Sequence, residues 1–483
     1  MSSSHSVSSS LAWNVVRTWG SRLAGFIIFF QLTRYLGPSE MGLFAAAFAV
    51  MTLFDLIVDQ GLMSAIIQRS EPSSEELNTV FALNVGAGIA LTLGAWTFRD
   101  QIERLMGVEG ISSVVAIASL ALIFGALSMC QEALNRKALN FKKLATRTLI
   151  ATTVSGAVGV YLAATGHGVY SLVAQFVIAA VCNFLLIWWR PIWVPSLRAG
   201  FCSIRSYFKV SSGAFGVRLL DYSGTRGVDL LVGSTLGVAQ LGFFSVGTKL
   251  QYIALQLVGT AIVDVAFPVW SRDANDKRAL AEKYLETVRL AATFSLPIWL
   301  VLAIFSSEMC LVAFGTNWVE AGGILKWMAV VGFAQLSMQF DVAAITALGK
   351  GSTAFGISVL RVFFPIALAA FFGAESASDF AFWLAAGNLA IVPASSYMVC
   401  SMLGLPVVSL ARAYKVALVA AAGACGVILM VYWLPYTPTV ASAIIRLGAG
   451  AAIFCFTYGA IVLWVDKGIR GRLAVFFSKR LGM

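Results

Sequence analysis

LGPSEMGLF, residues 36–44, returns two hundred positions later as LGVAQLGFF, residues 236–244. Leu36, Gly37, Gly42 and Phe44 recur as Leu236, Gly237, Gly242 and Phe244. Each copy is a short turn between two long apolar segments. Glycine and leucine are common in this chain, but the spacing and the character of the flanks repeat together, which marks a duplicated unit.

The segments around the turns define the class of protein. Apolar residues make up 59% of the chain and charged residues 12%, against roughly 45–50% and ~25% in a soluble domain. Mean hydropathy is +0.85. Stretches of ~20 apolar residues recur along the whole length, each long enough to cross a ~30 Å hydrocarbon core as a helix. Strands of a membrane barrel would alternate over ~10 residues, and these segments do not. The reading is an all-α membrane protein.

Fourteen spans are expected, at about 11–33, 43–67, 78–98, 112–133, 148–165, 169–189, 211–233, 244–268, 289–307, 324–347, 355–373, 380–403, 413–434 and 441–465. Short connections carry turn residues, as at Gly37-Pro38, Gly107 and Gly349-Lys350-Gly351. If the even-numbered loops and both termini share one side, twenty-three of the 34 Lys and Arg lie there, Arg147 among them as a loop cation, and five lie opposite. Positive charge marks the cytoplasmic side, so both termini are expected in the cytoplasm. The net charge of +11 then reflects cytoplasmic loops facing anionic lipid, and no nucleic-acid partner is expected. The seven cysteines are scattered without CxxC spacing, as small core residues are. The serine-rich N-terminus lacks a basic region and a cleavage site, so the first apolar segment reads as a retained helix.

The repeated turn follows span 1 and again span 7, so the repeat is six helices long. Six crossings return the chain to its starting side, which makes the halves parallel repeats; transporters of this kind bind substrate between them. The expected organisation is an N-lobe at 1–205, a C-lobe at 206–405, and two C-terminal helices with a basic tail at 406–483.

Charges inside spans single out candidate site residues, because each costs ~2.5–3.5 kcal/mol at a bilayer centre unless it faces a bundle interior or water. In span 7, Arg218, Asp221, Tyr222, Thr225, Arg226 and Asp229 share about 140° of arc. Span 1 repeats the arrangement with Asn14, Arg17, Thr18, Ser21 and Arg22. Arginine suits phosphate through bidentate donation, so these faces fit an anionic substrate. The competing reading is ion pairing of Arg218 with Asp221 and of Arg226 with Asp229. Asp55 and Asp59 in span 2 are partners for the span 1 arginines or a cation site. Lys249, Gln256, Thr260 and Asp264 share a face of span 8, as cavity lining or as interhelical glue. Arg361 and Asp341 are expected to pair, and Pro297, Pro365 and Pro393 to kink their helices. Residues 272–289 read as a charged helix on the cytoplasmic face. Trp188, Trp189, Trp193, Trp318, Trp327, Trp433 and Trp464 read as an interfacial belt.

Gly349-Lys350-Gly351-Ser352 lacks the earlier glycine and the residue order of a phosphate-binding loop. The two histidines, His5 and His167, do not form a catalytic or metal-binding set. No cofactor, metal site or bond chemistry is expected, and movement would draw on an ion, potential or substrate gradient.

Several stretches carry a family resemblance: LGPSEMGLFAAAFAV (36–50), DQGLMSAIIQR (59–69), ALNRKALNFKKLA (133–145), GHGVYSLVAQ (166–175), VDLLVGSTLGVAQLGFFSV (228–246), FPVWSR (267–272) and FGTNWVEA (314–321). In this order the chain resembles the Wzx-type flippases of the multidrug/oligosaccharidyl-lipid/polysaccharide exporter superfamily. The resemblance covers spans 1 to 10. It implies an inner-membrane flippase that moves an undecaprenyl-pyrophosphate-linked oligosaccharide to the periplasmic leaflet by alternating access, for capsule, exopolysaccharide or O-antigen assembly. It implies membrane lipids, a polysaccharide polymerase and export machinery as partners. On that resemblance Arg17, Arg22, Arg218 and Arg226 suit a cationic cavity, with Tyr222, Lys249 and Gln256 as further lining. Asp55, Asp59, Asp221, Asp229 and Asp264 are the ion-coupling candidates. A drug/cation antiporter of the same superfamily would need an acidic N-lobe cavity. A membrane polymerase or ligase would need a large outer loop with catalytic carboxylates or histidine, and none is present.

Overall fold

The computed structural model describes residues 20–59, 61–69, 72–196, 204–273, 276–432, 440–466 and 470–471, without side chains at 204–214, 260–265 and 430–432. Among the described residues every regular element is a helix. They are α1 (20–35), α2 (Pro38–Asp59), α3 (Leu62–Gln68), α4 (Ser74–Thr97), α5 (Arg99–Met106), α6 (Ile111–Ala118), α7 (Leu120–Lys137), α8 (Phe141–Ala164) and α9 (Val169–Trp188). There follow α10 (Ile204–Leu236), α11 (Val238–Arg272), α12 (Lys277–Ile304), α13 (Ser306–Phe314), α14 (Ala321–Ala347), α15 (Gly351–Phe372), α16 (Ala377–Leu403), α17 (Val407–Tyr432) and α18 (Val440–Val465).

Among the described residues eleven helical segments are long and apolar enough to cross a membrane. They correspond to expected spans 2–6 and 9–14, with α6 and α7 forming one span. Expected spans 1, 7 and 8 fall on α1, α10 and α11. Helix α1 is described only from residue 20. Helices α10 and α11 run for 33 and 35 residues, and α10 carries the polar stripe read from the sequence. The chain is a multi-pass all-α membrane protein.

Two compact units divide at Ser245/Val246. The contacts thus divide the chain inside α11, whereas the sequence repeat divides it at 205/206. In unit 1, α8 packs on α9, α4 and α9 on α7, and α10 on α2 and α3. In unit 2, α16 lies between α14 and α15, and α12 packs against α14 and α17. The core of unit 2 gathers Trp270, Tyr284, Val288, Phe340, Ile345 and Val399.

Local chemistry sets the helix ends. Ser73 and Glu76 form a capping box at the start of α4, with bonds of 3.2 and 3.1 Å. Asp276 caps α12 by accepting from the Arg278 and Ala279 backbone N–H groups at 3.0 and 3.1 Å. The span formed by α6 and α7 breaks at Ser119, whose carbonyl accepts from Thr92 Oγ1 at 3.0 Å. Trp96 Nε1 donates to the Ala116 carbonyl at 2.7 Å. Such side-chain donors satisfy backbone that a break would otherwise leave bare in lipid. Lys143 Nζ caps the end of α9 by donating to the Ile187 carbonyl at 3.1 Å.

Two expectations change. The charged helix at 272–289 and span 9 are largely one helix, α12, because nothing in 277–296 breaks it. Leu280, Tyr284 and Val288 face the core while Lys283 turns outward to Asp273. Trp318 is fully buried, whereas Trp189 and Trp464 are each 80% exposed, as a belt requires.

The two copies of the repeated turn touch one another within unit 1. A Cβ on Gly42 would lie 2.8 Å from the Gly242 backbone nitrogen, and one on Gly242 would lie 2.6 Å from the Pro38 carbonyl carbon. Helix starts approach this closely only where side chains are missing. The copies differ locally. The Gly37 N–H donates to Glu40 at 2.8 Å, while Gly237 takes φ 89° and ends α10 as a left-handed cap. Gly42→Ala and Gly242→Ala should each destabilise by about 1–3 kcal/mol through overpacking. The thermal midpoint of the purified protein in detergent should fall with either, and should not fall with Gly86→Ala, inside α4, where a Cβ meets nothing within 4 Å and alanine favours the helix.

Candidate polar site of unit 1

The polar face of α10 is held against α2. Arg218 forms an ion pair with Asp59. One turn on, Tyr222 Oη donates to the Ala49 carbonyl at 3.3 Å. One turn further, the Arg226 guanidinium lies 4.7 Å from the centroid of the Phe48 ring, a cation–π distance. Arg226 Nη1 also donates to Asp229 Oδ2 at 2.8 Å. Asp229 is buried, so the pairing removes an otherwise uncompensated charge.

The stripe therefore splits along its length. The edge with Arg218, Tyr222 and Asp229 is packed, while Asp221 and Thr225 remain exposed. The two arginine side chains keep 41% and 37% of their surface. On α2, Asp55 is exposed, and its Oδ1 lies 4.0 Å from where a Gly125 Cβ would stand. The missing side chain at Gly125 leaves the space beside that carboxylate open. Arg22 on α1 is exposed.

Pairing of Arg226 with Asp229 follows the sequence reading. The Arg218–Asp221 alternative does not: Arg218 reaches Asp59, a residue of the preceding half of the repeat. Asp59 is placed for this by the break after α2. Its Oδ1 accepts from the Met63 backbone N–H at 3.2 Å, and Gly61 takes φ 76° before α3. Arg17 and the side chain of Asp264 lie outside the described residues. Lys249 and Gln256 stand on the part of α11 that belongs to unit 2.

Other buried charges have structural partners. Asp341 does not take Arg361 as the sequence suggested. Tyr284 Oη donates to its Oδ1 at 2.5 Å, and Ser395 and Ser396 donate to its Oδ2. Three helices, α12, α14 and α16, meet on this one carboxylate. Arg147, read as a loop cation, is buried in α8 and donates to Glu132 at 2.9 Å. Glu132 also accepts from Arg136 at 2.6 Å. Arg446 and Glu308 pair at 3.5 Å. Hydroxyl donors such as Ser395 and Ser396 were missed because serine in an apolar run carries no charge signal. Among the described residues no group of three His, Cys, Asp or Glu is arranged to hold a metal.

With this geometry in place, the comparisons with known proteins agree on one class. The family model described as polysaccharide biosynthesis protein matches residues 31–322, more than half of the chain, and the chain belongs to that family. It is 22% identical over 471 residues to the succinoglycan biosynthesis transport protein ExoT of Rhizobium meliloti strain 1021, covering 97% of this chain and 94% of that one. It is 22% identical over 356 residues to the lipopolysaccharide biosynthesis protein WzxC of Escherichia coli K12, covering 73% and 72%. Among solved structures, the lipid II flippase MurJ in an inward closed conformation aligns with a TM-score of 0.76 at 14% identity over 94% of this chain and 99% of that one. An inward-facing multidrug resistance MATE transporter of the MOP superfamily aligns with a TM-score of 0.63 at 13% identity, over 81% and 98%. The fold is that of the exporter superfamily the sequence resembles.

Two predictions test these pairings. Arg218→Ala and Asp59→Ala should each destabilise by about 1–3 kcal/mol, between exposed and fully buried pairs. The exchange of the two residues, Arg218→Asp with Asp59→Arg, should recover most of the lost thermal midpoint. Tyr284→Phe should cost about 1.5–3 kcal/mol by removing a hydrogen bond to a charged group, read as the same midpoint shift.

Proposed function

We propose that this protein is a flippase for a polyprenyl-pyrophosphate-linked oligosaccharide, carrying the lipid-linked unit from the cytoplasmic to the periplasmic leaflet of the inner membrane. The single observation that carries the reading is the pair of half-exposed arginines, Arg218 and Arg226, on a membrane helix of a polysaccharide biosynthesis family member. Each arginine uses Nη1 for its carboxylate. A guanidinium has five N–H donors in a planar fork, so a phosphate can be engaged from the exposed side while the acid holds the arginine in place. Arg22 on α1 offers the same chemistry, and Arg17 precedes it in the sequence. The names of the relatives, a succinoglycan transport protein and a lipopolysaccharide biosynthesis protein, support surface polysaccharide assembly as the pathway class.

The movement is alternating access between an N-lobe at 1–205 and a C-lobe at 206–405, with the two C-terminal helices and basic tail of 406–483 outside the repeat and both termini in the cytoplasm. Asp55 and Asp221 are the accessible carboxylates for an ion that drives the cycle. Asp59 and Asp229 exchange partners if substrate displaces their arginines, and Asp264 is the corresponding candidate on α11. A polysaccharide polymerase and export machinery receive the product. An antiporter for cationic drugs fits less well, because two of the four described aspartates on α2 and α10 are neutralised by arginine.

Deleting the gene should trap lipid-linked saccharide in the inner leaflet. Vesicles reconstituted with a fluorescent polyprenyl-pyrophosphate saccharide should show protein-dependent appearance of the label in the opposite leaflet. Arg22→Ala with Arg226→Ala should slow it at least about tenfold, the loss expected for charge-assisted hydrogen bonds to phosphate. Transport at the wild-type rate, with normal surface polysaccharide in the deletion strain, would remove this reading.

A further inference from the structure

Unit 2 carries a second polar surface whose chemistry differs from that of unit 1. On α11, Lys249, Tyr252 and Gln256 recur at intervals of three and four residues, which places them on one face. Tyr252 is 52% exposed, so part of its ring is left uncovered by the rest of the chain. Gln256 Nε2 donates to Tyr252 Oη at 2.9 Å, which fixes the phenol and the carboxamide as one unit. One turn on, Gly259 has no side chain. The Oε1 of Gln339 on α14 lies 2.9 Å from where a Gly259 Cβ would stand, so the glycine makes room for a second carboxamide. Gln335 lies one turn from Gln339 on the same helix face, and both are half-buried. Carboxamides and a phenol are expensive in hydrocarbon, and a helix keeps such a face only where it meets protein or water.

We infer that this face of α11 and α14 is a saccharide-binding subsite, with Tyr252, Gln256 and Gln339 as the residues that read the sugar. The inference rests on the flippase reading above and deepens it by assigning recognition of the sugar to groups separate from the arginines. A carboxamide offers a donor and an acceptor side by side, which matches the vicinal hydroxyl pairs of a sugar ring. The Tyr252 ring offers an amphipathic, stiff contact area with a hydroxyl at its edge, which matches the apolar C–H face of the same ring. The bond between Gln256 and Tyr252 presets both groups, so little ordering remains for the ligand to impose. Neutral donors of this kind bind hydroxyls in preference to phosphate, which arginine serves better.

The test uses full-length protein in lipid nanodiscs and two probes. One is polyprenyl pyrophosphate without sugar. The other is the polyprenyl-pyrophosphate-linked saccharide extracted from membranes of the gene-deletion strain. Wild-type protein should bind the sugar-bearing lipid at least about tenfold more tightly, the equivalent of one well-made contact group. Tyr252→Ala, Gln256→Ala and Gln339→Ala should each abolish most of that preference while leaving the affinity for the sugar-free lipid unchanged. Tyr252→Phe, which keeps the ring and loses the Gln256 bond, should fall between. Equal affinity of the wild type for both probes would overturn the subsite, and so would variants that keep the preference. Equal weakening of both probes would assign these residues to packing and also overturn it. Failure of the wild type to bind either probe would remove the flippase reading itself, and the subsite with it.

Discussion

A charge carried on a membrane helix must be paired, hydrogen-bonded or wet, and most of this fold's polar architecture follows from that constraint. In unit 1 it is met by joining α10 to α2. Arg218 takes Asp59, Arg226 takes Asp229 and the Phe48 ring, and Tyr222 takes a main-chain carbonyl. At Asp341 in unit 2 it is met by hydroxyls. Asp341 is buried and draws Tyr284, Ser395 and Ser396 from two other helices. The two solutions have different consequences. An arginine paired through one nitrogen still presents the rest of its fork outward. A carboxylate surrounded by hydroxyls is consumed by the core. The first is suited to binding and the second to holding helices together.

The same constraint explains the glycines of the repeated turn. Backbone at a helix start has N–H groups without helical partners, and a close crossing with another helix start tolerates no side chain. Gly42 and Gly242 lie at that crossing, each against the other copy's backbone. The two copies of the turn therefore share more than a pattern. They pack on each other, so the spacing of the glycines is a packing requirement on both copies.

Much of the fold was legible before any coordinates. The segments matched to α2, α4 and α6 through α9, and to α12 and α14 through α18, are long and apolar, and length and hydropathy assign them. The polar stripe of α10 was legible because six residues at helical spacing leave little choice of face. Its pairing was only half legible. Arg226 and Asp229 are i,i+3 neighbours and pair as neighbours. Arg218 and Asp221 have the same spacing, yet Asp59 takes the arginine because the break at Gly61 brings that acid to α10. Arg147 and Trp318 were misplaced for a related reason. Both sit near span ends, where sequence cannot separate an interfacial side chain from one turned into the core.

By itself the sequence determined the class, an all-α membrane protein, because hydropathy is a property of residues in order. It also determined which helix faces are polar, because 3.6-residue periodicity is local. Only the tertiary structure decided which acid meets which arginine, that Gly42 and Gly242 touch, and that Asp341 is held by hydroxyls rather than by Arg361. Periodicity defines a face and leaves its partner open. Partners are chosen by packing between segments as much as 200 positions apart, and no local pattern records that choice.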